Sequence, residues 1–97
     1  MPDLDGKVAL VIGASLPGGR ALAVALAEAG ANVAVATRTH AREEEVLANS
    51  CANEIWAIGR RGLAAIVDAS DSQEMEQLRQ RVTAELGEID FLVEAFS

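Results

Sequence analysis

A glycine-rich turn between an apolar strand and a helix constrains this chain more than any other feature. The strand is predicted over Lys7–Ile12, a nearly unbroken apolar run, and the helix over Gly18–Ala29. The connecting segment Gly13–Gly19 contains three glycines and Pro17. This order brings backbone N–H groups and the positive end of a helix to one point, which is a suitable binding site for a phosphate group.

The rest of the chain alternates strands and helices in the same way. Further strands are predicted at Val33–Ala36, Leu63–Val67 and Ile89–Ala95. Thr39 is expected to cap the second helix and Asp71 the third, because both side chains can accept from a helix N-terminus. The strands are apolar runs, which is typical of strands covered on both faces. Right-handed crossovers then imply an α/β fold with a Rossmann-like, doubly wound parallel sheet.

The second helix is expected to pack through an apolar stripe. Four residues recur there at helical spacing: Leu47, Cys51, Ile55 and Ile58. Cys51 is therefore expected to be a small core residue, whereas the triplet Glu43–Glu45 is interpreted as a solvated face. Trp56 lies one residue off the stripe, so it either packs at the helix edge or marks a partner surface. His40 has no partner at ligand spacing and is expected to lie on the surface.

Size and charge exclude several classes of function. The 97 residues suffice for one domain, and the net charge of −7 argues against binding to nucleic acids or to anionic membrane surfaces. The single cysteine allows no internal disulfide and implies no metal cluster. No apolar run approaches the roughly 20 residues that span a bilayer. With an acidic N-terminus that lacks a basic signal region, a cytoplasmic location is expected.

Several segments together resemble the short-chain dehydrogenases/reductases. They are Asp5–Ser15, Gly19–Ala21, Ala27–Val33, Asp68–Asp71 and Gly87–Val93. The resemblance runs from about Asp3 to Ser97 and corresponds to about the first two-fifths of such an enzyme. It implies the strand order 3-2-1-4 and a dinucleotide cofactor. In the complete enzyme it implies hydride transfer.

The resemblance also implies a set of cofactor-binding residues at the carboxyl ends of the strands. These are Gly13, Ser15, Leu16, Gly18, Gly19, Thr37, Arg38, Asp68, Ala69 and Ala95. The family usually has glycine where this chain has Pro17, and proline removes one N–H donor. We therefore expect a reshaped phosphate-binding turn in which Gly18 restores the close approach of the backbone, and the alternative is that Pro17 abolishes binding.

The segment after the second strand bears on the choice between NAD and NADP. The family's NAD-binding members have an acid at the position of Thr37, and no acid is present here. Arg38 is instead placed to meet a 2′-phosphate, with the hydroxyl of Thr37 or Thr39 assisting, so NADP is expected and NAD stays an alternative. Leu16 argues against NADP, because NADP-binding members often have a basic residue there. Arg38 also fits a solvated cation at a helix start.

Two further positions allow more than one interpretation. By the resemblance, Asp68 accepts a hydrogen bond from the adenine amino group with the Ala69 N–H nearby, although it is also typical of an acid before a helix. After the fourth strand the family has Asn-Asn-Ala-Gly, whereas this chain has Glu94 and Ala95. A carboxylate cannot donate as an asparagine amide does, so contacts with the nicotinamide are not assigned.

The chain lacks the residues that the resemblance would require for catalysis. It has no tyrosine, and its one lysine, Lys7, belongs to the first strand. We assign no catalytic residue and no metal ligand, and expect residues 1–97 to be the N-terminal part of a longer NAD(P)-binding domain. The alternatives are a stand-alone nucleotide-binding or regulatory module and a non-binding interaction protein. The predicted fourth strand would then offer an open edge to the missing half or to a second copy.

Overall fold

The computed structural model describes residues 3–95, in which strands and helices alternate along the chain. The strands are β1 (Val8–Ile12), β2 (Asn32–Ala36), β3 (Gly62–Ala65) and β4 (Phe91–Glu94). The helices are α1 (Pro17–Glu28), α2 (Arg42–Ile58) and α3 (Ser72–Glu85). All pairings are parallel and the sheet order is β3-β2-β1-β4. The Rossmann-like α/β fold and the order 3-2-1-4 are confirmed, although β3 and β4 are shorter than predicted.

Helices cover both faces of the sheet, which explains why all five residues of β1 are buried. On one face, α1 and α2 contribute Ala23, Ala27, Ala48, Cys51 and Ile55 to a core that also contains Ala9, Val11, Val33 and Val35. On the other face, Leu78 and Val82 of α3 lie in a core with alternate residues of β1: Val8, Leu10 and Ile12. The small alanines allow α1 to approach the sheet closely.

The predicted start of the second helix was wrong. The helix begins at Arg42 after the N-cap residue Ala41, which has no side-chain hydrogen bond to the helix. Thr39 lies further upstream, where its hydroxyl accepts from the N–H of Ala41 at 3.1 Å and donates to the carboxylate of Glu44. The threonine therefore organises the loop before α2 instead of capping the helix.

The predicted apolar stripe of α2 was one residue out of phase at its start. Leu47 is 43% exposed, and the buried residues are Ala48, Cys51, Ala52 and Ile55. Alanine is only weakly hydrophobic, so the spacing of large apolar residues points to Leu47 and not to the face that is buried. Cys51 is confirmed as a core residue, and burial raises the pKa of its thiol. Trp56 is more than half exposed, while its indole N–H donates to the Gly62 carbonyl at 3.0 Å.

The cap of α3 is confirmed, although its reciprocal half is not formed. The carboxylate of Asp71 accepts from the N–H groups of Gln73 at 2.9 Å and Glu74 at 3.2 Å. In a complete capping box the Glu74 side chain would return to the N-cap N–H. Here it accepts instead from the N–H of Asp68 at 3.1 Å, which fixes the segment between β3 and α3.

β4 forms one edge of the sheet and pairs with β1. Two apolar side chains of this strand are exposed, Phe91 at 37% and Leu92 at 58%. The predicted open, apolar edge is therefore present within residues 3–95. None of the helices in this range combines the length and apolar character that crossing a membrane requires.

Candidate functional site

The carboxyl ends of β1, β2 and β3 surround a groove of about 610 Å³. Its lining comes from the loops after these strands and from the first turns of α2: Ser15, Leu16, Arg38, Thr39, Glu43, Glu44, Leu47, Asp68, Ala69 and Ser70. Half of the residues proposed from the sequence therefore line one space. This is the edge of a parallel α/β sheet at which ligands bind.

The glycine turn beside this groove is closely packed. Gly13 has a positive φ of 92°, and a Cβ there would lie 2.7 Å from the carbonyl oxygen of Ala95. A Cβ on Gly19 would lie only 2.2 Å from the carbonyl oxygen of Gly13. Both glycines are thus required for the contact between β1, α1 and the end of β4. Gly18, in contrast, has open space where its Cβ would be.

The first turn of α1 supplies a reduced set of backbone donors. Pro17 occupies one of the first two helical positions, where its fixed φ suits the helix, and it has no N–H. The N–H of Arg20 already donates to the carbonyl of Leu16 at 2.9 Å. The N–H groups of Gly18 and Gly19 lie between them in the first helical turn, ahead of the regular N–H to C=O(i−4) bonds of a helix. Two donors and an open approach at Gly18 fit a diphosphate group.

Thr37 has a structural part in this site that the sequence did not reveal. Its side chain is fully buried, and its hydroxyl accepts from the Val67 N–H at 2.9 Å and donates to the Val67 carbonyl at 3.0 Å. This hydroxyl therefore extends the link between β2 and the segment after β3. In this arrangement it is not available to assist at a 2′-phosphate.

The loops after β2 and β3 are joined by backbone hydrogen bonds as well. The N–H of Thr37 donates to the Ala65 carbonyl at 3.1 Å, and the N–H of Ala69 donates to the Arg38 carbonyl at 2.8 Å. The Ala69 N–H, expected near an adenine, is thus occupied within the protein. These bonds hold Arg38 and Asp68 on neighbouring walls of the groove.

Glu44 is one of the groove residues that the sequence did not identify, and it has the most contacts with the predicted ones. Its carboxylate accepts from the hydroxyl of Ser15 and from the N–H of Arg38, both at 2.9 Å, and from the hydroxyl of Thr39. Burial raises the pKa of Glu44, but these hydrogen bonds and the Arg38 guanidinium outweigh it and hold the pKa below its ordinary value. Glu44 is the middle one of three consecutive glutamates, and nothing in the sequence indicates that its side chain contacts the loops after β1 and β2.

Asp68 is held in a tight turn on the other wall. Its Oδ1 accepts from the hydroxyl of Ser70 at 2.6 Å and from the N–H of Ser70 at 2.9 Å. These two bonds, with the Ser70 hydroxyl first, lower the pKa of Asp68 below its ordinary value. The carboxylate is therefore ionised at neutral pH, which both interpretations of Asp68 require.

Replacing Ser70 by alanine is expected to raise the pKa of Asp68 towards its ordinary value of 3.8. A carboxyl whose pKa is depressed by folding stabilises the fold above its unfolded pKa, and that stabilisation is lost as the pH falls through the folded pKa. Ser70→Ala should therefore reduce the loss of stability in the acid range below pH 3.8. Carbon-detected NMR titration of the carboxyl checks this, with Ser72→Ala as the control. An unchanged Asp68 titration in Ser70→Ala would contradict it.

His40 lies at the rim, exposed as expected, with Nε2 at 2.7 Å from Oε1 of Glu74. This contact connects the loop before α2 with the first turn of α3.

Among residues 3–95, no three histidine, cysteine or acidic side chains are grouped so that they could hold a metal ion. The N–H of Ala95 donates to the Ile12 carbonyl at 2.8 Å, which keeps the end of β4 against the glycine turn.

Known proteins are similar to this chain in sequence and in fold. The family model for short chain dehydrogenases matches residues 7–95. L-rhamnose 1-dehydrogenase (NAD(P)(+)) from Sphingomonas sp. (strain SKA58) is 36% identical over 90 residues, which are 93% of this chain and 34% of that protein.

Two solved structures agree with these matches. A short-chain type dehydrogenase/reductase from Mycobacterium marinum has a TM-score of 0.81 and 38% identity, covering 93% of this chain and 34% of its own. A hydroxysteroid dehydrogenase from Escherichia coli has a TM-score of 0.83 and 33% identity, and the match covers 94% of this chain and 37% of that one. The chain thus spans about a third of the length of these relatives. With a family match over nearly all its residues, the chain belongs to the short-chain dehydrogenase family.

Proposed function

We propose that residues 1–97 are the N-terminal, cofactor-binding part of a longer NAD(P)-dependent oxidoreductase. The observation that carries this proposal is the glycine turn, whose close packing and open face at Gly18 lie beside the groove at the carboxyl ends of the strands. The name of the Sphingomonas relative, which contains NAD(P)(+), supports the same cofactor class. A cytoplasmic location is part of the proposal, in keeping with a single cysteine that is buried.

The residues of the glycine turn and of the groove beside it have different roles in this proposal. The N–H groups of Gly18 and Gly19 bind the diphosphate, and Gly13 and Ala95 shape the turn beneath it. Ser15, Leu16 and Arg38 surround the adenosine ribose, and Asp68 and Ala69 lie at the adenine. Thr37 positions these adenosine-binding residues through its hydrogen bonds to Val67, and its hydroxyl does not touch the cofactor.

The cofactor supplies the hydride donor or acceptor when it is bound, and these residues bind and orient it. Proton transfer requires an acid/base group. Because this chain has no tyrosine, we assign that step to residues outside the 97. A reading frame that continues into a Tyr-x-x-x-Lys motif would support this assignment. A stop codon after Ser97 would favour the stand-alone binding module.

We further propose that Arg38 favours NADP over NAD, since it is exposed and lines the groove. Replacing Arg38 by alanine is expected to weaken NADPH binding at least about tenfold, because a charge-assisted hydrogen bond is lost. NADH binding should change little. Fluorescence titration of both cofactors checks this, with Arg42→Ala as the control because Arg42 is also exposed but does not line the groove.

Two results would contradict these proposals in different ways. Equal affinity of the unaltered protein for NADH and NADPH would remove the NADP preference and leave dinucleotide binding intact. A folded protein that binds neither cofactor would instead favour a non-binding interaction protein. The specific observation behind that alternative is the exposed edge at Phe91 and Leu92.

A further inference from the structure

We propose that Glu44 is a specificity-determining residue that competes with a 2′-phosphate for its hydrogen-bond donors and so limits the preference for NADP. This inference rests on the proposed function of the groove. It concerns a residue that lies on a different element from the glycine turn and from Arg38. Its effect would be to shift the ratio of the two affinities towards NAD.

The donors that an anion would use in this part of the groove are already directed at one carboxylate. Ser15 contributes its hydroxyl from the loop after β1, at 2.9 Å. Arg38 contributes its backbone N–H from the loop after β2, also at 2.9 Å, and the Thr39 hydroxyl completes the set. Three donors from two loops thus converge on Glu44, which is an anion supplied by the protein itself.

The charge of Glu44 distinguishes the two cofactors. A carboxylate and a phosphate that approach the same donors repel each other, and the phosphate must displace the side chain to bind them. A ribose 2′-hydroxyl can instead donate to the carboxylate, because a hydroxyl is both donor and acceptor. The lowered pKa of Glu44 keeps this charge in place at neutral pH. Glu43 also lines the groove and adds to the negative potential.

The simplest competing explanation is that Glu44 only orders the loop between β2 and α2. Thr39, which donates to Glu44, also accepts from the N–H of Ala41, so the loop is organised around this pair. A purely structural role predicts that loss of the carboxylate weakens both cofactors together. A competing role predicts that the ratio of the two affinities shifts towards NADPH, so the ratio separates the two explanations.

The test compares Glu44→Gln with Glu45→Gln in the otherwise unaltered protein. Both substitutions remove one charge from the same turn of α2, but Glu45 does not line the groove. We expect Glu44→Gln to tighten NADPH binding about tenfold, the scale of one hydrogen bond to a charged group. NADH should bind equally well or more weakly, and Glu45→Gln should change both affinities less than about twofold because the charge of Glu45 lies outside the groove and is screened by salt.

The outcomes separate the inference from the function on which it rests. A parallel change for both cofactors in Glu44→Gln, or the same tightening in Glu45→Gln, would overturn the inference and leave dinucleotide binding standing. Absence of binding to either cofactor in all three folded proteins would overturn the proposed function and the inference with it. Far-UV circular dichroism establishes that each variant is folded.

A measurement on the unaltered protein covers the case in which Glu44→Gln does not fold. The carboxyl carbon of Glu44 is followed by NMR during titration with NADPH. Displacement of the side chain from Ser15 and Arg38 should shift this signal, while the Glu45 signal stays in place. A saturating titration that leaves the Glu44 signal unmoved would overturn the inference.

Discussion

Replacement of Gly19 by alanine is expected to destabilise the fold by about 3 kcal/mol, the upper part of the usual range for overpacking. The added Cβ would lie 2.2 Å from the carbonyl oxygen of Gly13 and 3.1 Å from the Cβ of Ala95. The nearer atom belongs to the backbone of a tight turn, so no side-chain rotation relieves the contact. The first turn of α1 must move away from β1. Urea denaturation monitored by circular dichroism measures the loss.

Gly18 provides the matched control for this experiment. It is the preceding residue of the same helix, and a Cβ there would meet nothing within 4 Å. Gly18→Ala is expected to leave stability unchanged or to raise it by up to about 1 kcal/mol, because alanine favours the helix. Equal effects of the two substitutions would show that α1 does not approach the turn as closely as described.

Replacement of Thr37 by valine is expected to cost about 3 kcal/mol, since it leaves a buried N–H and a buried carbonyl without their partner. Both groups belong to Val67, which lies 2.9 and 3.0 Å from the threonine hydroxyl. Valine keeps the shape of threonine, so the cost reports the hydroxyl. Denaturant unfolding gives the total loss, and hydrogen exchange at the Val67 amide should increase.

Thr37→Ser separates the hydroxyl from the methyl group. Serine retains both hydrogen bonds and loses one methyl, for which the expected cost is about 1 kcal/mol. Protection of the Val67 amide should be preserved. If serine and valine destabilised the protein equally, the packing of the methyl group and not the hydroxyl would hold the ends of these two segments together.

Local signals in the sequence predicted most of the fold. The run Val8–Ile12, the glycine turn and the alanine-rich helix each indicate their own structure and agree with one another. The run Asp71–Glu74 resembles a capping box, and the Asp71 carboxylate indeed accepts from the N–H groups two and three positions further on. Apolar strands in alternation with helices predicted the parallel sheet, and the family resemblance supplied its order. These features depend on neighbours in the chain or on general rules of topology.

The features that were missed depend on distant partners. The sequence offers the Thr37 hydroxyl as one of two candidates to assist at a 2′-phosphate, yet its partner is Val67, thirty residues further along the chain. Glu44 was one of three similar glutamates, and only the packing of α2 beside the loops turns it towards Ser15 and Arg38. The helical spacing of large apolar residues predicts Leu47 in the core, whereas close packing of α2 buries the smaller Ala48 instead.

The hydrogen bonds that continue past the ends of β2 and β3 have a mechanical consequence. Thr37 is tied to Ala65 and Val67, and Arg38 is tied to Ala69, so the two loops are cross-linked at successive positions. The two loops therefore form one rigid unit, and neither loop can move away from the other without breaking several hydrogen bonds at once. The space between Arg38 and Asp68 therefore has a fixed width. Selection among ligands that enter it depends on the side chains of these two loops.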